Sequence, residues 1–301
     1  VVSPNAFTCA DRNSTINVTL TVTDNNGNVS TCASNVLVKD EVSPTAQCRD
    51  LTIQLDANGD ASITVADVDN GTVDNCMLVS VTLDEYDFDC SEVGPQLVTL
   101  TAVDADGNDA TCIATITVED NVAPDAQCKN TIVELDATGA GSIVVADIDN
   151  GSADACGIAT MVLSETNFTC ADLGTNTVTL TVTDVNGNSA ACTGDVDVQD
   201  NINPDVVYAG ATQFCNDALV CEAALSIVAT ADDNCTIASA FWAGTVTPFY
   251  GTAYAINGTG LDASGTYPVG SFTITFTVID QSGNIDQETI NVLVDDCENP
   301  V

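Results

Sequence analysis

The stretch TVTLTVTD at residues 177–184 alternates without a break: Val178, Leu180 and Val182 point one way, and Thr177, Thr179, Thr181 and Thr183 point the other. Successive side chains of a β-strand face opposite sides, so this pattern predicts a half-buried strand. LVTLTAVD (97–104) and NVTLTVTD (17–24) repeat it. Each is followed by a turn containing Asn-Gly or Asp-Gly and then by a second apolar strand, which predicts a β-hairpin. Short strands at regular spacing, with no helical period between them, predict a β-sandwich.

The pattern is itself periodic. Cys48, Cys76, Cys90 and Cys112 recur 80 positions later as Cys128, Cys156, Cys170 and Cys192. A fixed period marks a tandem architecture. The expected organisation has residues 1–39 as the C-terminal half of a repeat, with SPNAFTC (3–9) matching SETNFTC (164–170). Residues 40–119 and 120–199 are complete repeats. Residues 200–301 form a longer, divergent repeat whose end, VDDCENPV, resembles the start of a further linker. A window from a longer array explains both ends. A subunit that borrows its missing half-domain from a neighbour is the alternative.

Composition sets the compartment and the partners. Forty-four acids against four bases give a net charge of −40. That balance excludes a nucleic-acid backbone and an anionic membrane surface, both of which need clustered Lys and Arg. Cations are the expected partners. Hydrophobic residues at 45% of the chain are enough to bury a core, so the acidity does not imply disorder. Fourteen cysteines, even in number and regular in spacing, with no His, point to disulfides in an oxidising compartment rather than to zinc. The sequence shows no signal peptide and no apolar run of about 18 residues, so membrane insertion is not expected.

DNxxP at the linkers, DNC before the third strand, YPVG (267–270) and VxDxxGN at the hairpins resemble the hyalin-repeat (HYR) family. The 80-residue units are similar to repeats in giant surface proteins of Bacteroidetes, gliding-motility adhesins among them. The resemblance implies an all-β fold of tandem immunoglobulin-like β-sandwich domains in a linear array, secreted to the cell surface. Residues 92–96 (EVGPQ) and 172–176 (DLGTN) stand where the family has YPVG.

A sandwich also fixes which loops meet. A first strand over about 46–55 runs down, the turn 56–60 lies at the bottom, and a second strand over 61–68 returns to the top. Loop 67–75, hairpin turn 104–108 and the incoming linker then share the top pole, against the preceding repeat. The expected Ca²⁺ ligands of residues 40–119 are Asp40, Glu41, Asp67, Asp69, Asn70, Asp74, Asp104, Asp106 and Asn108. In the next repeat they are Asp120, Asn121, Asp147, Asp149, Asn150, Asp154, Asp184, Asn186 and Asn188, and in the last Asp200, Asp232 and Asp233. Ca²⁺ takes six to eight oxygens from such groups. Turn chemistry alone also favours Asp, Asn and Gly.

The half-repeat holds only Cys9 and Cys32. If it is self-contained, the pairs are Cys9–Cys32, Cys90–Cys112 and Cys170–Cys192, which leaves Cys48–Cys76 and Cys128–Cys156. Each such loop contributes about 3–4 kcal/mol in the chain-entropy model. Cys215 and Cys221 flank a short turn and are candidates to pair. Cys235 and Cys297 have no assignment.

No Ser-His-Asp or Cys-His arrangement is possible without His, and the acids recur in every unit, which suits repeated structure rather than one active site. The expected function is a non-enzymatic segment of an extracellular fibre or adhesin stalk. It is stiffened by Ca²⁺ and disulfides, with further repeats or neighbouring copies as partners. The alternative is recognition of a surface glycan or protein through Trp242 and Tyr250 of the last repeat. Eight N-x-[ST] sequons read mainly as turn and strand residues, with glycosylation the other reading.

Overall fold

The computed structural model describes residues 1–217 and 221–297. It divides into two compact units: Val1–Pro124 with Ala153–Ala159 and Thr183–Ser189, and Asp125–Ser152 with Thr160–Val182 and Ala190–Val301. Two loops of the 120–199 repeat are thus grouped with the repeat before it.

Residues 40–119 of the first unit form a two-layer sandwich. One layer is a four-stranded sheet in the order Leu51–Gln54, Asp109–Glu119, Gly94–Asp104, Leu78–Leu83. Asp109–Glu119 pairs antiparallel with Gly94–Asp104 and parallel with Leu51–Gln54. The other layer is a ribbon of Asp60–Ser62 against Asp87–Asp89. Between the layers the alternating residues Val98, Leu100, Ala102, Ile116 and Val118 meet Leu55, Ile63 and Phe88. Each large side chain buried there contributes about 1.5–3 kcal/mol.

The expected strand over 61–68 is shorter than the alternation suggests. It stops at Ser62 and gives way to a one-turn helix, Val65–Val68. The cause is local: the backbone N–H and hydroxyl of Thr64 donate to Asp67, closing the turn. Val68 is fully buried by it.

Residues 1–39 form a three-stranded antiparallel sheet of Val2–Ser3, Thr15–Thr23 and Val29–Leu37. Its apolar face is open. Leu20 and Val22 are 39% and 57% exposed, whereas Leu100 and Ala102, 80 positions on, are at 0%.

Over residues 120–199, Thr131–Glu134, Ser189–Gln199, Gly174–Asp184 and Ile158–Leu163 repeat the sheet order, with a ribbon of Ala140–Ser142 and Asn167–Thr169. The last repeat has a five-stranded sheet ordered Gln213–Cys215, Ile285–Asp295, Gly270–Asp280, Ile237–Pro248, Tyr254–Thr259. Its core centres on Ile227, Ile274, Phe276 and Val278, with Tyr208 stacked on Phe276 and Tyr267 on Phe272.

The disulfides overturn the expected pairing. Cys48–Cys112, Cys128–Cys192 and Cys215–Cys297 close loops within repeats. Cys9–Cys76, Cys90–Cys156 and Cys170–Cys235 join each repeat to the next. Strand direction explains the difference. Gly94–Asp104 ends among the acids of the junction with the preceding repeat, so Cys90, just before its start, lies at the opposite end. The returning strand Asp109–Glu119 puts Cys112 back near the first end. Cys90 therefore cannot reach Cys112, and it meets Cys156 with Cα atoms 5.1 Å apart. Cys32 and Cys221, both expected in disulfides, are free and exposed, so Cys215 and Cys221 do not pair.

Candidate metal centres at the repeat junctions

Each hairpin turn is built around one aspartate at the end of a strand. Asp104 Oδ1 accepts the backbone N–H of Asp106 and Asn108 at 2.9 and 2.8 Å, and Oδ2 accepts Asn108 Nδ2 at 2.7 Å. Gly107, at φ +90°, makes the turn possible. Asp184 and Asp280 repeat these bonds with Asn188 and Asn284. The same Asn side chain reaches across to the linker: Asn108 to the carbonyl of Asp40, Asn188 to that of Asp120, and Asn284 to that of Asp200.

Each linker aspartate then turns into the junction. Oδ1 of Asp40, Asp120 and Asp200 accepts the N–H two residues on. The third acid precedes the junction cysteine by two residues. Asp74 Oδ2 accepts from Cys76 N, Asp154 Oδ1 from Cys156 N, and Asp233 Oδ2 from Cys235 N.

The result is a compact group at every junction. Carboxylate oxygens of Asp40, Asp74 and Asp104 lie within 4.8 Å of one another, as do those of Asp200, Asp233 and Asp280. The middle junction groups Asp120 and Asp154 with Cys156, whose sulfur is in a disulfide and is no metal ligand. Asp184 is tied to that group through Asn188.

Burial makes these groups expensive. Asp120 is 7% exposed and Asp200 3%. Asp120 Oδ2, Asp200 Oδ2, Asp74 Oδ1 and Asp233 Oδ1 are buried with no hydrogen-bond partner. An unpaired buried charge costs several kcal/mol, and native structures rarely keep one uncompensated. Burial opposes ionisation of Asp104 and Asp184, yet the Asn side chains and turn amides outweigh it and hold both carboxyls below the usual range. Asp233 goes the other way: burial, with Asp200 and Asp280 beside it, raises its carboxyl despite the N–H of Cys235. Ca²⁺ fits this donor set. It is hard, prefers carboxylate oxygens at 2.3–2.6 Å, and supplies the charge that the crowded acids lack.

The structure separates other expected ligands from these groups. Asp67 caps the one-turn helix, and Asp69 accepts from Gly71 and Thr72 in its own loop. Asp147 and Asp149 do the same in the next repeat. Asn70 and Asn150 bond to the carbonyls of Gln47 and Gln127 through their backbone N–H. Asp106 pairs with Arg12 at 3.2 Å and accepts from Asn13. Asn186 donates its N–H to Asp184, and Asn121 donates to Gln54. Glu41 and Asp232 are exposed and outside the trios. Two participants were not expected as ligands or neighbours: Asp280, and Asn234, whose Nδ2 donates to Asp200 and whose Oδ1 is buried without a partner. Asp280 ends VID just before QSGN, so the VxDxxGN hairpin motif was its signal.

In the last repeat Trp242 is half-buried. It lies over Gly258, where a Cβ would sit 2.6 Å from the indole, and its Nε1 donates to the carbonyl of Asp262 at 2.9 Å. Tyr250 is 95% exposed.

No family model matches the sequence, and no curated protein matches it. Among solved structures, the chain is similar to protocadherin gamma B7 extracellular cadherin domains 1–4, at 14% identity over 95% of this chain and 84% of that one, TM-score 0.32. PcdhgB3 EC1–4 gives 16% identity over 95% and 84%, TM-score 0.33. Sidekick-1 immunoglobulin domains 1–5 give 12% identity over 96% and 67%, TM-score 0.33. Likeness at that level transfers neither ligand nor partner. By its own sheets, the chain is a tandem set of immunoglobulin-like β-sandwiches, and no helix among the described residues is long and apolar enough to cross a membrane.

Proposed function

We propose that the chain is a structural segment of a secreted cell-surface fibre or adhesin stalk, with its junctions held by Ca²⁺ and by disulfides. The observation that carries this reading is the recurrence, at three successive junctions, of buried carboxylate oxygens with no partner. A cation at each junction neutralises them and locks linker, loop and hairpin together. The residues that hold it are Asp40, Asp74 and Asp104; Asp120 and Asp154, with Asp184 alongside; and Asp200, Asp233 and Asp280. Six disulfides support an oxidising, extracellular setting. The lack of any His and the repetition of the acids support a non-enzymatic role. The HYR-like motifs support placement among surface proteins of the gliding-adhesin type. Isothermal titration with CaCl₂ tests the reading: up to three sites in the roughly 10⁻⁴–10⁻³ M range of extracellular modules are expected. No heat and no change in melting would reduce these loops to turns.

A second reading, recognition of a glycan or protein by the last repeat, is favoured by the exposure of Phe249 and Tyr250 at 62% and 95%. Trp242 faces Gly258 and Asp262 instead, so contact would fall to the loop aromatics. Tyr250→Ala should abolish glycan-array or cell-surface binding if that reading holds.

A further inference from the structure

We infer that this chain is a covalently clamped force tether, in which tension bypasses nearly all of the folded polypeptide. The inference comes from disulfide connectivity and does not depend on any metal. The six loops overlap in sequence from Cys9 to Cys297.

A pull applied across the chain follows its shortest covalent route. That route enters at Cys9 and crosses to Cys76. It runs 14 residues to Cys90 and crosses to Cys156. It runs another 14 to Cys170, crosses to Cys235, runs 20 back to Cys215 and crosses to Cys297. The route holds 48 residue steps, against 288 along the backbone. At about 3.5 Å per extended residue the limit is about 170 Å rather than about 1,000 Å. Four disulfide crossings, with Cα atoms 5.1–5.4 Å apart, add little.

The repeats share the design. In each of the two 80-residue units the junction cysteines cap one 14-residue segment, 76–90 or 156–170. That segment contains the edge strand Leu78–Leu83 or Ile158–Leu163. The rest of each sandwich, including the hairpin of Gly94–Asp104 and Asp109–Glu119, lies off the load path. Two glycines make the close approach possible. A Cβ on Gly59 would lie 2.5 Å from Cys90 Sγ, and one on Gly139 2.7 Å from Cys170 Sγ. The intradomain pairs Cys48–Cys112 and Cys128–Cys192 are a reserve: without Cys90–Cys156 the shortest route detours through both and grows from 48 to 67 residue steps.

Single-molecule force extension of the whole chain, held at its two termini in EGTA, tests this. The readout is the limiting contour length at high force, which does not require a variant to be natively packed. Complete reduction with dithiothreitol should add 240 residue steps, about 840 Å. Cys90→Ser with Cys156→Ser should add 19 steps, about 65 Å, and Cys48→Ser with Cys112→Ser should add none. Adding CaCl₂ should leave all limits unchanged, so failure of the calcium reading leaves this one intact. An oxidised chain as long as the reduced one, or a Cys90→Ser, Cys156→Ser chain no longer than wild type, would overturn the clamp.

Discussion

The backbone N–H of Cys76 donates to Asp74 Oδ2 at 2.8 Å, so the residue that staples two repeats also aims the acid between them. Cys156 with Asp154 and Cys235 with Asp233 reproduce the pair. Staple and acidic group are one local unit at each junction.

Neutralising a linker acid should change sign with calcium. Asp120 and Asp200 each keep a buried oxygen without a partner. In EGTA, Asp120→Asn or Asp200→Asn removes that charge and should raise the melting temperature. In CaCl₂ the same variants lose a ligand and should melt lower than wild type. A site filled at ten times its Kd contributes about 1.4 kcal/mol. Differential scanning calorimetry in both buffers checks the crossing; parallel shifts in the two would sink the metal assignment.

The disulfide map predicts two reactive thiols. Maleimide labelling without reductant, followed by peptide mapping, should modify Cys32 and Cys221 alone. A labelled Cys9 or Cys76 would contradict the first junction staple.

Acid should act on two classes of carboxyl in opposite senses. Asp104 and Asp184 have folded values below the unfolded value of about 3.9. Their contribution is present above that pH and lost as pH falls through the folded values. Asp233 is raised, so its contribution is full below about pH 3.9 and lost as pH rises through its folded value. Melting curves in EGTA should therefore show Asp233→Asn close to wild type at pH 3 and increasingly more stable toward pH 7. A constant offset across that range would contradict the assignment.

Two leucines 80 positions apart should respond differently. Leu100 is at 0% exposure and Leu20 at 39%. Leu100→Ala should lower the opening free energy of strand Gly94–Asp104 by about 2–5 kcal/mol, read by hydrogen exchange. Leu20→Ala should lower that of Thr15–Thr23 by less than about 1 kcal/mol. Equal losses would mean that the open face is covered in solution.

The strands were legible because Val98, Leu100 and Ala102 alternate with threonines, and a period of two has one structural meaning. The meeting of linker, loop and hairpin followed from strand direction alone. Which acid of the loop joins the linker was not legible. Asp67 and Asp74 are chemically alike, and only the capping bond from Thr64 diverts the first to a helix end. The pairing failed for a related reason. Four cysteines per period fit several connectivities, and treating the half-repeat as self-contained chose among them wrongly. Gly59 and Gly139 carried a usable signal: the turn 56–60 differs from 136–140 in its side chains, yet both keep the one residue without a Cβ where the repeat's own junction sulfur, Cys90 or Cys170, packs against the turn.

The overlapping loops also govern what a protease can accomplish. Every peptide bond from Cys9 to Cys297 lies inside at least one closed ring. One cut anywhere in that span leaves both fragments tethered, and the nick stays invisible on a gel until the disulfides are reduced. Scission needs cuts matched to more than one ring, so a chain exposed to extracellular proteolysis accumulates damage without losing continuity.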